Sequence, residues 1–318
     1  MSSMNYAQAA CLALQEAMRA DPQVVALGED LARGGIFGQY RGLPQEFGPG
    51  RIIDTPISEA TIMGAAVGMA LAGLRPVVEM RVVDFALCAM DELVNQAAKN
   101  RFMFGGQGRV PLVARMPIGL WSASAAQHSQ SLEAWFAHIP GLAVVTPATP
   151  ADNYGLLKAA LASGDPVVYM EHKELWGIEG DVEAGAKVPL GKARIAQSGS
   201  DLTIVTWSRS VHDCVSAVAL LAQEGVSAEL IDLRTIWPWD REAVLASCAK
   251  TGRLLVVHEA VQAAGFGAEI AATVAEELGI RVRRLGAPRI PAGYAQPLED
   301  ESRISTAKIA AAARRCVA

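Results

Sequence analysis

Short apolar runs alternate with longer amphipathic segments along the first half of the chain. The runs are continuous rather than alternately apolar and polar, which is typical of strands in a sheet covered by helices on both faces. They predict strands at 23–27, 51–54, 76–80, 110–114, 142–145 and 166–170. The segments between them predict helices at about 5–20, 59–73, 86–103, 131–138 and 151–163. This alternation predicts a mostly parallel, doubly wound α/β sheet.

The pattern stops between about 178 and 200, where Gly, Glu, Lys, Pro and Ser dominate, and it resumes afterwards. The second block predicts strands at 202–206, 228–233 and 254–258, with helices after the first strand and near 241–249, 266–278 and 305–315. The sequence therefore predicts a first α/β domain at 1–180, a linker at 181–200 and a smaller α/β domain at 201–318.

The composition narrows the class of protein. A length of 318 residues suits two α/β domains, and 51% apolar residues are ample for their cores. The net charge of −5 is mild, and Lys and Arg are scattered, so we expect neither a nucleic-acid nor a membrane partner. Five widely spaced cysteines, no secretory signal pattern and no membrane-spanning run predict a reduced, cytoplasmic protein.

Several common catalytic motifs are missing from the sequence. It has no His-Glu-x-x-His pair, no Cys/His cluster, no Gly-x-Ser-x-Gly elbow and no Walker-type loop. The segment 265–270 resembles the start of a dinucleotide fingerprint, but its third glycine is missing. We interpret it as a tight turn that packs a helix onto a sheet.

The segment Asp54-Thr55-Pro56-Ile57-Ser58-Glu59 joins the end of a predicted strand to the start of a predicted helix. Open α/β sheets bind ligands at such strand ends. One interpretation is purely structural, with Ser58 capping the helix and Glu59 in its first turn, where the helix dipole favours an acid. The other interpretation is that Glu59 serves a ligand site.

The run at 122–131 consists of small and polar residues around His128, and it lies between an apolar strand and a helix. A histidine in such a loop is a candidate acid or base, although a merely solvated side chain explains it as well. Phe85 follows a predicted strand and is either a core residue or an aromatic face for a planar ring.

Matching segments run in order through nearly the whole chain. They include Gly28-Glu29-Asp30, the 51–59 segment with Glu59, Ala126-Gln127-His128-Ser129-Gln130, 231–235 and 294–299. Together they resemble the beta subunits of the thiamine-diphosphate-dependent first component of 2-oxo acid dehydrogenase complexes, of the pyruvate, acetoin and branched-chain types. The resemblance implies a transketolase-like fold, with a pyrimidine-binding domain followed by a transketolase C-terminal domain.

The same resemblance implies a function and partners. Such a subunit helps to cleave a 2-oxo acid or acetoin next to its carbonyl and to transfer the acyl group to a lipoyl carrier. An alpha subunit, in an α2β2 heterotetramer, supplies the Gly-Asp-Gly…Asn element that holds the diphosphate through magnesium, and this chain has no such element. A lipoyl acyltransferase core is the further partner.

Individual residues receive roles from the resemblance. Glu59 matches the glutamate that hydrogen-bonds a ring nitrogen of the cofactor's aminopyrimidine and favours its imino tautomer, and His128 matches a histidine that moves protons. Phe85 matches an aromatic residue that packs on the pyrimidine, and Glu29 an acid near the same ring. A structural potassium ion is implied at the main-chain oxygens of Leu112, Ala160, Ser163 and Asp165.

Three alternatives stay open. The substrate class could be pyruvate, acetoin or a branched-chain 2-oxo acid, since much of the pocket would come from the alpha subunit. Half of a split sugar transketolase would share the fold and the cofactor glutamate, and ketol transfer to an aldose would identify it. A subunit that serves only assembly or regulation is a third interpretation, which the presence of both Glu59 and His128 disfavours.

Overall fold

The computed structural model describes residues 1–318, and the chain divides into two compact units. Unit 1 comprises Met1–Ile118 and Trp135–Leu190, and unit 2 comprises Gly119–Ala134 and Gly191–Ala318. The boundary after Leu190 lies inside the segment that we interpreted as a linker. Residues 119–134, which we expected in the first domain, lie in unit 2 because the Glu259 carboxylate there accepts the Leu120 N–H.

Strands overlap all the predicted ones, with their ends shifted by a few residues. They are β1 (Ser2–Asn5), β2 (Val24–Gly28), β3 (Ile52–Asp54), β4 (Arg75–Glu79), β5 (Val113–Arg115), β6 (Ala143–Val145), β7 (Val167–Tyr169), β8 (Glu179–Val182), β9 (Arg194–Gln197), β10 (Leu202–Thr206), β11 (Ala228–Asp232), β12 (Thr235–Trp237), β13 (Arg253–Val261) and β14 (Arg281–Ala287). The expected linker thus contains β9, and the sequence pattern missed the short strands β1, β8, β12 and the edge strand β14.

Most helices also follow the predicted pattern, but the sequence pattern missed the short helices α2 and α10. They are α1 (Tyr6–Ala20), α2 (Leu43–Phe47), α3 (Glu59–Leu71), α4 (Ala98–Met103), α5 (Glu133–Ala137), α6 (Pro150–Ala162), α7 (Ser210–Gln223), α8 (Arg241–Thr251), α9 (Gly267–Leu278), α10 (Gln296–Ser302) and α11 (Thr306–Val317). The prediction of one helix at 86–103 was wrong in detail. A 3₁₀ turn (Phe85–Ala89) and a π-helical segment (Asp91–Ala97) precede α4 there. No helix is long and apolar enough to cross a membrane.

Unit 1 contains a parallel sheet with its strands in the order β6-β7-β5-β4-β2-β3. The chain runs from β2 to β3 at one edge and then crosses back to β4 on the other side of β2. The strand order therefore reverses next to β2, which makes the carboxyl ends of β2, β3 and β4 the expected ligand-binding edge. One face of this sheet packs against α1 and α6 in a continuous apolar core.

Local sequence explains how the covering helices begin. Asn5 caps α1 by accepting the N–H of Gln8, and the Gln8 side chain accepts the Asn5 N–H in return. Thr149 accepts the Asp152 N–H at the start of α6, whose first residue is Pro150. The predicted cap of α6 is confirmed.

Unit 2 contains a five-stranded sheet in the order β14-β13-β10-β11-β9, in which β9 runs antiparallel to its neighbour. Helices α7 and α11 bury one face of this sheet. A side chain at Gly265, just before α9, or at Gly267, its first residue, would collide with the buried ring of His258, at 2.7 and 2.8 Å. This close approach explains the glycine-rich segment as a packing turn.

Candidate functional site

The ends of three neighbouring strands meet at Gly28. Its register partners are Asp54 at the end of β3 and Glu79 at the end of β4. A Cβ on Gly28 would lie 2.5 Å from the main-chain oxygen of Glu79, so only glycine allows the strands to come this close. Glu29, the next residue, therefore leaves β2 at the ligand-binding edge of the sheet.

Two carboxylates lie near each other at this edge. Glu59 is the first residue of α3 and is partly buried, as is Glu29. Partial burial raises the pKa of Glu29, and the nearby charge of Glu59 adds to the rise, while Arg81 opposes it. The two carboxylates therefore lie within electrostatic range of each other at the same edge of the sheet.

Helix capping and the helix dipole explain the 54–59 segment only in part. Ser58 occupies the position before α3, but its hydroxyl donates to the Thr61 hydroxyl at 2.8 Å and caps no main-chain group. The first turn of α3 therefore lacks a side-chain cap. Its N–H groups and the Glu59 carboxylate are available to a ligand.

Phe85 lies on the turn that follows β4. It begins the 3₁₀ turn Phe85–Ala89, which packs against α3, and its ring is partly buried. The structure therefore brings the Glu29–Glu59 pair and the Phe85 turn into the same region of unit 1. An aromatic face and a carboxylate pair are the complement of a planar, nitrogen-containing ring.

His128 lies in the other unit, and its side chain is exposed. Its loop holds Ser122, Ala123 and Ala125 at positive φ, and Ala125 has φ 65° and ψ −176°, a conformation that favours glycine. Such positions cost on the order of 1–3 kcal/mol each and cluster at functional sites. The strain favours a functional loop over a plain solvated one.

A cavity of about 410 Å³ in unit 2 adjoins the same loop. Gln127 and Ser131 line one side, and Glu259 and Arg289 also line it. Glu259 is held by the Leu120 N–H at 2.8 Å. The loop thus borders a mostly apolar recess that carries a few polar groups, next to His128.

A buried network of charges was missed by the sequence interpretation. Arg115 donates two hydrogen bonds of 2.9 Å to Glu171, and its Nη1 lies 3.6 Å from the Glu79 carboxylate. Tyr40 and Gln39 also donate to Glu79, at 2.9 and 3.1 Å. The sequence did carry a signal for this network, because Glu79, Arg115 and Glu171 each directly follow an apolar run.

Burial shifts the pKa values of the charged groups in this network. Desolvation raises the pKa of Glu79 to about 7, although Arg115 and the two donated hydrogen bonds oppose the rise. Burial also disfavours the charge on Arg115, but Glu171, Tyr40 and Glu79 together outweigh this and raise the guanidinium pKa. The acid at the end of β4, next to Gly28, therefore changes its charge near neutral pH.

The four oxygens predicted to hold potassium all lie in unit 1. The Leu112 oxygen accepts an N–H of β7 at 2.8 Å, and the Ala160 oxygen accepts the Ser163 N–H at 3.1 Å. The Ser163 oxygen accepts from the Arg75 guanidinium and the Asp165 oxygen from the Ser163 hydroxyl, both at 2.9 Å. Each oxygen keeps a second lone pair, although a cation would lie close to Arg75. The structure contains no group of three or more His, Cys, Asp or Glu side chains arranged to hold a metal.

Comparison with protein families identifies both parts of the chain. Residues 2–178 match the family described as "Transketolase, pyrimidine binding domain", and residues 191–309 match "Transketolase, C-terminal domain". A solved structure titled "Split gene transketolase, inactive beta4 tetramer" superposes with a TM-score of 0.81 over 98% of this chain and 97% of that one. At 22% identity this likeness shows the fold alone.

Curated relatives match over most of their length. The beta subunit of acetoin:2,6-dichlorophenolindophenol oxidoreductase from Cupriavidus necator is 43% identical, over 95% of this chain and 94% of the relative. The 2-oxoisovalerate dehydrogenase subunit beta of Bacillus subtilis is 40% identical, over 99% and 98%. The mitochondrial pyruvate dehydrogenase E1 component subunit beta-2 of Oryza sativa subsp. japonica is 43% identical, over 90% and 79%. The chain therefore belongs to the transketolase-like family that includes the beta subunits of acetoin, pyruvate and branched-chain 2-oxo acid dehydrogenases.

Proposed function

We propose that this chain is the beta subunit of a thiamine-diphosphate-dependent dehydrogenase of a 2-oxo acid or acetoin. The enzyme would cleave its substrate next to the carbonyl and transfer the acyl group to a lipoyl carrier. The observation that carries the proposal is the Glu29–Glu59 carboxylate pair at the strand-order reversal of the pyrimidine-binding domain. The chain is 40–43% identical to dehydrogenase beta subunits over most of their length, which supports the reaction type.

The residues at this edge fit the pyrimidine ring of the cofactor. Glu59 would hydrogen-bond a ring nitrogen and favour the imino tautomer of the aminopyrimidine, and Glu29 would lie near the same ring. Phe85 would pack on the face of the ring. Bound thiamine diphosphate supplies the electron sink for cleavage next to a carbonyl.

The rest of the site would come from a partner. We propose an alpha subunit that holds the diphosphate through magnesium, in an α2β2 heterotetramer, with a lipoyl acyltransferase core as the acceptor of the acyl group. The relatives' description as beta subunits supports the existence of such a partner. His128, exposed on its strained loop, would move a proton at the substrate or lipoyl sulfur.

The decisive test is reconstitution of the chain with its alpha subunit. Glu59→Gln keeps the shape of the side chain but removes the acid, so turnover should fall at least about 100-fold. Glu183→Gln, which changes an exposed glutamate far along the sequence, should leave turnover intact. Unchanged turnover in Glu59→Gln would refute the proposed role of this residue.

The same preparation distinguishes the reaction classes. Acyl transfer to lipoamide should be measured with pyruvate, acetoin and 3-methyl-2-oxobutanoate, and ketol transfer to an aldose should be measured beside it. Activity in the first assay supports the proposal and identifies the substrate. Activity confined to the second would instead make the chain half of a split transketolase.

The proposed potassium ion has a test of its own. Bound at the oxygens of Leu112, Ala160, Ser163 and Asp165, it would stabilise the loop after α6 and thereby the folded chain. Replacing potassium in the buffer by choline at equal ionic strength should then lower the melting temperature. An identical melting temperature in both salts would exclude the ion.

The cytoplasmic location stays a prediction. All five cysteines are free, and three of them are buried, which suits a reducing compartment. Several relatives are described as mitochondrial, so fractionation of the source cells is the measurement that decides the compartment.

A further inference from the structure

Four arginines gather at one edge of the sheet in unit 2. Arg253 begins β13, Arg281 and Arg283 lie on the edge strand β14, and Arg315 lies in the last turn of α11. We call them the arginine cluster. Arg281, Arg283 and Arg315 are exposed, and Arg253 is partly buried.

The strand register places Arg253 and Arg281 next to each other. Arg253 and Arg281 are direct partners in the parallel pair of β13 and β14, so their side chains leave the same face at the same level. Arg283, two residues further along β14, points to that face as well. Like charges directly opposite each other destabilise a sheet.

Arg315 of helix α11 adds the fourth charge to the arginine cluster. Burial raises the pKa of the Cys316 thiol at the end of α11, and the charges of all four arginines act against this rise. All four guanidinium groups therefore lie within electrostatic range of the buried Cys316.

No nearby acid forms a salt bridge with the cluster, although the charge of Arg253, after the Ser227 and Ser200 hydrogen bonds, helps to lower the pKa of Asp201. Arg253 donates to the Asp201 main-chain oxygen at 3.3 Å, and the Asp201 carboxylate accepts from Ser200 and from the Ser227 N–H. Glu224 is occupied by Arg314. No salt bridge involves Arg281, Arg283 or Arg315.

We propose that the arginine cluster is a docking surface for an acidic segment of a partner protein, added as a strand along the free edge of β14. An edge strand leaves main-chain N–H and C=O groups that another strand can pair with. Acidic residues at alternate positions of that strand would meet Arg281 and Arg283, which are two residues apart on one face. The chain's net charge of −5 favours such a short acidic segment over nucleic acid or an anionic membrane, which the rest of the surface would repel.

The probe for this surface is a labelled peptide with the sequence Gly-Glu-Val-Glu-Val-Glu-Gly, compared with the same peptide carrying Gln in place of Glu. Fluorescence anisotropy with the full chain should show binding of the Glu peptide only. Arg281→Gln combined with Arg283→Gln should weaken this binding at least about tenfold. The control pair Lys187→Gln and Lys192→Gln, which also removes two exposed positive charges, should leave it unchanged.

Three outcomes of the binding comparison would overturn the proposal. They are equal binding of the two peptides, full affinity in the Arg281/Arg283 double variant, and tighter binding of single-stranded DNA or phosphatidylserine vesicles than of the Glu peptide through the same arginines. Added NaCl provides a readout in the unmodified chain, because screening should weaken binding of the Glu peptide. An affinity independent of salt would also contradict the docking surface.

Discussion

At the scale of single residues, the site depends on acids whose surroundings differ. Glu29 and Glu59 lie at the strand-end edge with partial access to water, and burial, together with the nearby charge of Glu59, raises the pKa of Glu29. Glu79 lies one strand away but is 5% exposed, and burial raises its pKa to about 7. Burial therefore acts on the charge of both Glu29 and Glu79 in this region of unit 1.

The raised pKa of Glu79 predicts how the stability of the chain depends on pH. Between about pH 4.5 and 7 the folded chain keeps this proton, whereas the unfolded chain loses it. The stabilising contribution is thus fully present below pH 4.5 and is lost as the pH rises through 7, a change on the order of 3 kcal/mol at most. Urea denaturation should show that Glu79→Gln lacks this decline. Parallel pH profiles of the variant and the unmodified chain would contradict the shift.

At the scale of elements, the strand order assembles the buried network. Glu79 ends β4, Arg115 ends β5 and Glu171 follows β7, and these three strands are neighbours in the order β7-β5-β4. The register places Glu79 opposite Arg115. The parallel direction of the strands brings all three charges to the same edge as Gly28, where the two acids share one guanidinium.

Breaking this network should cost far more than breaking a surface pair. Arg115→Met leaves Glu171 buried without its cation, so the free energy of unfolding should fall by about 3–5 kcal/mol. The matched control is Arg101→Met, whose exposed pair with Asp165 contributes about 1 kcal/mol or less. Urea denaturation of both variants makes the comparison. Equal losses in the two would show that the buried network is not a main support of the sheet.

At the scale of the whole molecule, the candidate residues are divided between the two units. Unit 1 carries Glu29, Glu59 and Phe85, and unit 2 carries His128 and the recess beside its loop. The sequence has no Gly-Asp-Gly…Asn element for the diphosphate. We propose that an alpha subunit supplies this element, so that the chain provides one half of the cofactor site.

This division predicts weak cofactor binding by the isolated chain. Calorimetry with thiamine diphosphate and magnesium should give an affinity at least roughly 100-fold lower than that of the complex with the alpha subunit, or about 2.7 kcal/mol. Most of the loss is expected from the diphosphate, whose charges find no metal in the chain alone. Equally tight binding by the isolated chain would refute the half-site.

The sequence by itself determined the α/β class, the positions of the main strands and helices, and the segments that carry Glu59 and His128. These features depend on local periodicity and on residues adjacent in the chain, which a sequence displays directly. Only the tertiary structure decided the strand order, because pairing brings together residues that are far apart in sequence. The Glu79–Arg115–Glu171 network, the place of 119–134 in unit 2 and the opposition of Arg253 and Arg281 all follow from such pairing. The same holds for Glu59: the chain order marked it as a helix-start acid, and the fold placed it beside Glu29.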